Sequence, residues 1–368
     1  MTDPFSGALL SGVNAVVDYA AAHVVTCLVP AFFIAGAIAV FVRKEAILTY
    51  FSPDAKKSVS YGIASISGVV LAVCSCTILP MFAGILKKGS GIGPATTFLY
   101  AGPAINILAI IYTASVLGWD LGLARAVFAI TMSIAIGLIM ATFFRAYDRE
   151  LSAAGKGFVP ASEGEPTRPG WVVPVFFFFM VLILVIGASS LLEFSLRLSI
   201  VYLLTLGVAF LLIYYFERDE VTEWGYETWD LAKKIFPILI AGTFVVGIIA
   251  FFLPPETFRP FFGDNSLGAC LLASIAGTLL YMPTLLEVPI IGGTFGYTEG
   301  VMAGGPALSL LLSGPAVSLP SLLVLYRIMG AKKAAAFAIL VVAFSTFAGI
   351  VYGNFFPYLG IPGCGSSG

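Results

Sequence analysis

Cys74-Ser75-Cys76-Thr77 stands inside an apolar stretch, and Tyr281-Met282-Pro283-Thr284 holds the corresponding place in a second one, 207 positions further on. Two thiols one residue apart can act together only if the backbone lets them converge. On a continuous helix their side chains diverge by about 200°, since each residue advances about 100°. On a nonhelical turn they can close on one soft centre, and thiolate sulfur prefers thiophilic ions such as Cu(I) or Zn(II). Trivalent arsenic or antimony would be held by the same softness. The alternative for Cys74 and Cys76 is packing, the usual role of a small membrane cysteine. Cys270 is a weaker third candidate, Cys27 reads as packing, and Cys364 falls in the Gly/Ser-rich tail.

Three further residues have types that could serve the same centre. Glu287 is the one acidic residue placed within the apolar part of either stretch. An ionisable group at that depth is costly and is read as functional; burial favours its neutral acid form, which suits a proton carrier. The alternative is that Glu287 lies at an aqueous edge. Asn106 and Ser318 follow the breaks Gly102-Pro103 and Gly314-Pro315. Proline removes a backbone donor and frees the carbonyl one turn back, so each break exposes backbone dipoles. Asn106, Ser318, Thr77 and Thr284 could then offer hydrogen bonds to a solute. A single such break reads as a packed kink; two at matching positions beside two polar tips read as a site. His23, near the outer start of the first span, reads as an interface residue.

The elements that must hold these residues are membrane helices. The chain has 368 residues, 59% hydrophobic and only 11% charged, against about 25% charged in soluble proteins. Apolar runs of 18 or more residues recur, as expected of helices crossing about 30 Å of hydrocarbon. Trp119, Trp171, Trp224 and Trp229 stand at the ends of such runs, where an amphipathic ring suits the membrane–water interface. The net charge of −1 and the lack of a basic cluster argue against nucleic acid. No cleavable signal peptide is evident. Nor is there a nucleotide, zinc-protease or nucleophile-elbow motif, so no cofactor, ATP-driven step or enzyme activity is expected.

The chain also reads as a duplication. Pro30 to Gly36 matches Pro237 to Gly242, and Gly102 to Ile107 matches Gly314 to Leu319. This predicts a first membrane repeat over 1–144, cytoplasmic loops and a two-span insert over 145–232, a second repeat over 233–357 and a disordered tail over 358–368. The acidic segment 217–232 is read as a solvated loop. If all ten apolar segments cross the membrane, the 19 basic residues divide ten to nine and the positive-inside rule says nothing. If 58–88 and 266–298 are re-entrant hairpins, only Arg125, Arg197 and Arg259 remain outside. The second count is preferred. The expected fold is an all-α polytopic membrane protein: two inverted repeats, about eight full spans and two hairpins whose tips meet near the midplane. Duplicated architectures of this kind place their sites between repeats.

Val73 to Pro80, with Gly84, Gly89 and Phe98 to Asn106, resembles the predicted-permease family that includes the ArsP-type organoarsenical efflux permeases. The resemblance implies a multi-span inner-membrane permease, with a soft-metalloid site at Cys74 and Cys76 and Asn106 lining the same cavity. The resulting expectation is a secondary-active exporter of a thiophilic solute such as a trivalent (organo)arsenical, in the bacterial inner membrane, with proton coupling at Glu287. Its partners are the lipid bilayer and its solute; a homo-oligomer is compatible with it. Two alternatives stay open: an intramembrane thiol-redox carrier, and a permease for a small sulfur compound or anion.

Overall fold

Every regular element among the described residues is helical. The computed structural model describes residues 4–21, 28–41, 56–71, 75–87, 89–156, 169–188, 193–252, 260–280, 282 and 287–355. The chain opens with α1 (Pro4–Tyr19) and α2 (Val29–Phe41), followed by α3 (Lys57–Leu71) and α4 (Ser75–Lys87). Next come α5 (Ile92–Ala104) and α6 (Ile107–Val116), which meet at a bend of 42° beside Pro103. α7 (Trp119–Phe143) runs into the polar α8 (Arg145–Lys156). After α9 (Val172–Ala188), α10 (Phe194–Tyr215) and α11 (Arg218–Phe252) comes α12 (Leu267–Leu279). A short α13 (Glu287–Pro289) continues as a π-turn over Ile290–Thr294. α14 (Gly304–Ser313), α15 (Leu319–Met329) and α16 (Ala331–Phe355) complete the fold.

Four of these helices are long and apolar enough to cross a membrane alone, in α7, α10, α11 and α16; α5 and α6 together make a fifth. Seven shorter apolar helices of 10–17 residues accompany them. The chain is therefore a multi-pass membrane protein, with four or five helices of full crossing length and several shorter apolar ones among the described residues. The acidic segment read as a loop is instead the first part of α11. That helix has 35 residues and reaches about 52 Å at 1.5 Å per residue. Its apolar part is long and hydrophobic enough to cross, and its acidic turns precede that part. There Lys87 Nζ meets Glu227 at 2.7 Å and Asp230 at 3.4 Å, and Lys234 Nζ meets Asp230 at 2.6 Å.

The same packing pattern occurs in both halves of the chain. α5 packs on α3 and α7, and α6 on α7; α14 packs on α12 and α16, and α15 on α16. The halves also cross: α4 packs on α15, and α13 on α6. A close approach fixes each half. A Cβ on Gly137 of α7 would collide with Thr97 Oγ1 and lie 2.8 Å from the Gly93 carbonyl on α5. A Cβ on Gly349 of α16 would collide with Ser309 Oγ and meet the Gly305 carbonyl at 2.5 Å on α14. Each of Gly93, Thr97 and Gly137 has its counterpart 212 positions later. The end of α16 meets the start of α7, where Tyr352 donates to Asp120 Oδ2 at 2.8 Å.

α2, α9 and α11 are joined through rings. Phe41, Phe176, Phe216 and Trp224 pack with centroids 4.5–5.7 Å apart, and α9 and α10 pair with each other. Trp224 departs from its expected interfacial role. It is only 8% exposed and donates Nε1–H to the Phe33 carbonyl at 2.8 Å, whereas Trp119, Trp171 and Trp229 are 75%, 49% and 63% exposed.

Candidate functional site

α7 begins at the end of α6, and its second turn carries Arg125 inward. Arg125 is fully buried, as is Glu287 at the start of α13. Their Nη2 and Oε1 atoms lie 2.5 Å apart. Sequence reading placed Arg125 among the outside cations; the structure makes it the buried counter-charge of Glu287. It also buries Glu287, so the carboxylate does not lie at an aqueous edge. One partner removed from such a pair leaves the other charge uncompensated, at a cost of about 3–5 kcal/mol.

The groups around the pair come from both breaks. Arg125 Nη1 donates to Thr113 Oγ1 at 2.9 Å, and that hydroxyl donates to the Ala109 carbonyl at 2.7 Å within α6. Glu287 Oε2 faces the second break, where a Cβ on Gly314 would lie 3.8 Å from it. Gly277 of α12 packs on the same break; a Cβ there would sit 3.1 Å from Gly314 N. Tyr100 of α5 is wholly buried and donates to the Leu312 carbonyl of α14 at 3.2 Å, joining one broken helix to the other. Among the described residues, Arg125 Nε and Glu287 Oε2 have no hydrogen-bond partner. The pair thus retains capacity for a further polar group.

Asn106 lies in the first break and is buried, its backbone carbonyl accepting from Ile110 N at 3.0 Å. Ser318, in the second break, is buried and shares a hydrogen bond with Ser321 Oγ at 2.9 Å while preceding α15. The backbone at Cys76 and Thr77 forms the first turn of α4. Cys74, Tyr281, Pro283 and Thr284 lie outside the described residues, as do His23, Cys27 and Cys364. Among the described residues no group of three or more His, Cys, Asp or Glu side chains could hold a metal ion. Cys270 is buried in α12 beside the Gly305 position, where a Cβ would lie 3.0 Å from its sulfur. Its packing surroundings suit a spacer between α12 and α14.

Sequence reading missed Arg125, Thr113 and Tyr100 as parts of one centre. A signal was present: Arg125 lies one turn and a half inside a long apolar run, past Asp120, too deep for an ordinary loop cation. Its apolar stem also lets arginine reach an interface, and that ambiguity hid it.

A sequence family described as a predicted permease, ArsP_1, matches residues 9–354 of the chain. The chain is 41% identical over 352 residues to UPF0718 protein MJ0584 of Methanocaldococcus jannaschii, covering 93% of this chain and 94% of that one. It is 25% identical over 264 residues to UPF0718 protein YraQ of Escherichia coli K12, covering 71% and 58% respectively. No solved structure matches.

Proposed function

The chain belongs to the ArsP-type predicted-permease family, and from that premise we propose a secondary-active permease that exports a thiophilic solute, a trivalent (organo)arsenical, with a proton carried by Glu287. The observation that carries this reading is the buried Arg125–Glu287 pair, set between α6, α7 and the break at Gly314. A membrane protein retains so costly a pair where its charge state is used.

The residues then divide the work. Cys74 and Cys76 capture the soft centre, with Cys76 in the first turn of α4. Thr77, Asn106, Thr284 and Ser318 offer polar groups along the path. Protonation of Glu287 neutralises the carboxylate and leaves Arg125 buried without counter-charge. That state is unfavourable by several kcal/mol, so proton uptake favours a rearrangement that gives Arg125 water or another anion. Deprotonation on the other side restores the pair.

Two packing facts support hairpins and inverted repeats. Arg327 shares a cavity with Lys87, Lys233 and Lys234, and Lys333 Nζ lies 3.6 Å over the Tyr147 ring, beside Arg145. If every apolar segment crossed, Arg327 and Lys333 would stand on the opposite side from Lys87, Arg145 and Lys233; with 58–88 and 266–298 re-entrant, all share one side. The meeting of the end of α16 with the start of α7 fits the same scheme.

The test is uptake of trivalent methylarsenical into everted bacterial inner-membrane vesicles under an imposed proton gradient. Wild type should accumulate it; Cys74→Ser/Cys76→Ser should not; Glu287→Gln should lose the response to the gradient. Accumulation by neither wild type nor variant would remove arsenicals as the cargo. Equal accumulation by wild type and the cysteine variant would reject the thiols as ligands.

A further inference from the structure

A cavity of about 750 Å³ opens between α4, α8, α11 and α15, within the size range of small-molecule sites. Lys87, Lys233, Lys234 and Arg327 stand around it, over apolar walls that include Pro237 and Ile238. Lys87 is neutralised by Glu227 and Asp230, and Lys234 pairs with Asp230. Four cations against two carboxylates leave a net charge of about two positive at the mouth. No acidic side chain among the described residues pairs with Lys233 or Arg327; Lys233 Nζ lies only loosely over Trp229, 6.0 Å from the ring centroid.

We propose that this cavity binds an oxyanion group carried on an apolar body, with Lys233 and Arg327 taking the anion and the Pro237–Ile238 wall taking the body. A bias of basic residues toward one membrane face would distribute charge along that face. Here the charges come from three separate helices and converge on one concavity, with the two unpaired cations contributed by α11 and α15. Arginine offers a planar fork suited to phosphate or carboxylate, and lysine a compact point charge. The cavity lies at the C-terminal end of α4, whose first turn carries Cys76, about 17 Å of helix away. The proposal does not depend on the identity of the transported solute. A soluble organic anion and the headgroup of an anionic phospholipid share the chemistry required.

The test is isothermal titration of phenyl phosphate into the purified full-length protein in nanodiscs of zwitterionic phosphatidylcholine, with benzyl alcohol as the uncharged control. Saturable binding of phenyl phosphate alone is expected, weakened by up to about tenfold in Lys233→Gln/Arg327→Gln, since each exposed charge contributes up to about half a decade. Both side chains are exposed, so an unchanged melting temperature verifies that the variant is folded. Repeating the titration in nanodiscs containing phosphatidylglycerol separates the two sources. Loss of phenyl phosphate binding there assigns the site to a lipid headgroup, and retained binding assigns it to a soluble anion. Absence of saturable binding in phosphatidylcholine, equal binding of benzyl alcohol, or affinity unchanged by the double substitution would each overturn the proposal.

Discussion

The α5–α7 pair of the first half and the α14–α16 pair of the second are held by the same small-residue contact but carry different chemistry. Gly93, Thr97 and Gly137 are matched by Gly305, Ser309 and Gly349 at a constant spacing of 212 residues. At that spacing Phe337 stands where Arg125 stands, and Leu325 where Thr113 stands, both fully buried. With the two polar tips aligned 207 residues apart, Pro80 corresponds to Glu287. The first half therefore supplies the only cation of the buried pair and the second half its carboxylate. Small residues at helix crossings are constrained by distance alone and persist in both copies. A buried charge needs one partner, so one copy of each suffices, and the pair ties the halves together across the molecule.

The largest expected effect follows from breaking that tie. Arg125→Leu and Glu287→Leu should each destabilise the protein by about 3–5 kcal/mol, because each leaves an opposite charge buried alone. The double variant should cost much less than the sum, and thermal melting of the purified protein would show it. Additive losses would mean that the two charges do not depend on each other, and the asymmetry between the halves would lose its meaning.

A smaller and symmetric effect is expected at the shared contact. Gly137→Ala and Gly349→Ala each introduce a methyl against a hydroxyl and a backbone carbonyl; the carbonyl cannot swing aside. Overpacking of this kind costs about 1–3 kcal/mol, so the two variants should melt at similarly lowered temperatures. A large drop in one and none in the other would show that only one half depends on close approach.

These comparisons explain which features could be read in the sequence. Long apolar runs announce membrane helices because the hydrocarbon thickness sets their length. The paired Gly-Pro breaks were visible as a repeated local pattern, and Glu287 as an acid where acids are costly. Arg125 was misread because its partner lies 162 residues away in the chain; only the packing of α13 on α6 brings them together. Trp224 was misread for the same reason, since an indole at the end of an apolar run looks interfacial until Phe33, Phe41 and Phe176 close over it. The acidic turns of α11 show the reverse case. Charge indicated water correctly, but the helix continued through it.

The smallest effect separates the two halves at the N-termini of their broken helices. The carboxylate of Asp148 accepts from Ile92 N at the start of α5, at 2.9 Å. Asn265 Oδ1 accepts from Gly305 N near the start of α14, at 2.8 Å, while its amide donates to the Gly353 carbonyl. Asn265→Ala should cost about 1 kcal/mol, the usual value of such a cap, with no pH dependence of its own. Asp148 differs because it titrates. Partial burial pushes its carboxyl above the usual carboxylate range, outweighing the Ile92 N–H and the nearby Lys333, which pull the other way. A carboxyl raised in the folded state contributes stability that is full below its unfolded value of about 3.9 and is lost as pH rises through the folded value. Asp148→Asn keeps an acceptor without the charge, so the variant should gain on wild type as pH rises from about 4, as read in melting temperatures across a pH series. A variant that instead falls behind wild type with rising pH would mean that the helix terminus and Lys333 outweigh burial, and that the cap of the first half works as a charge after all.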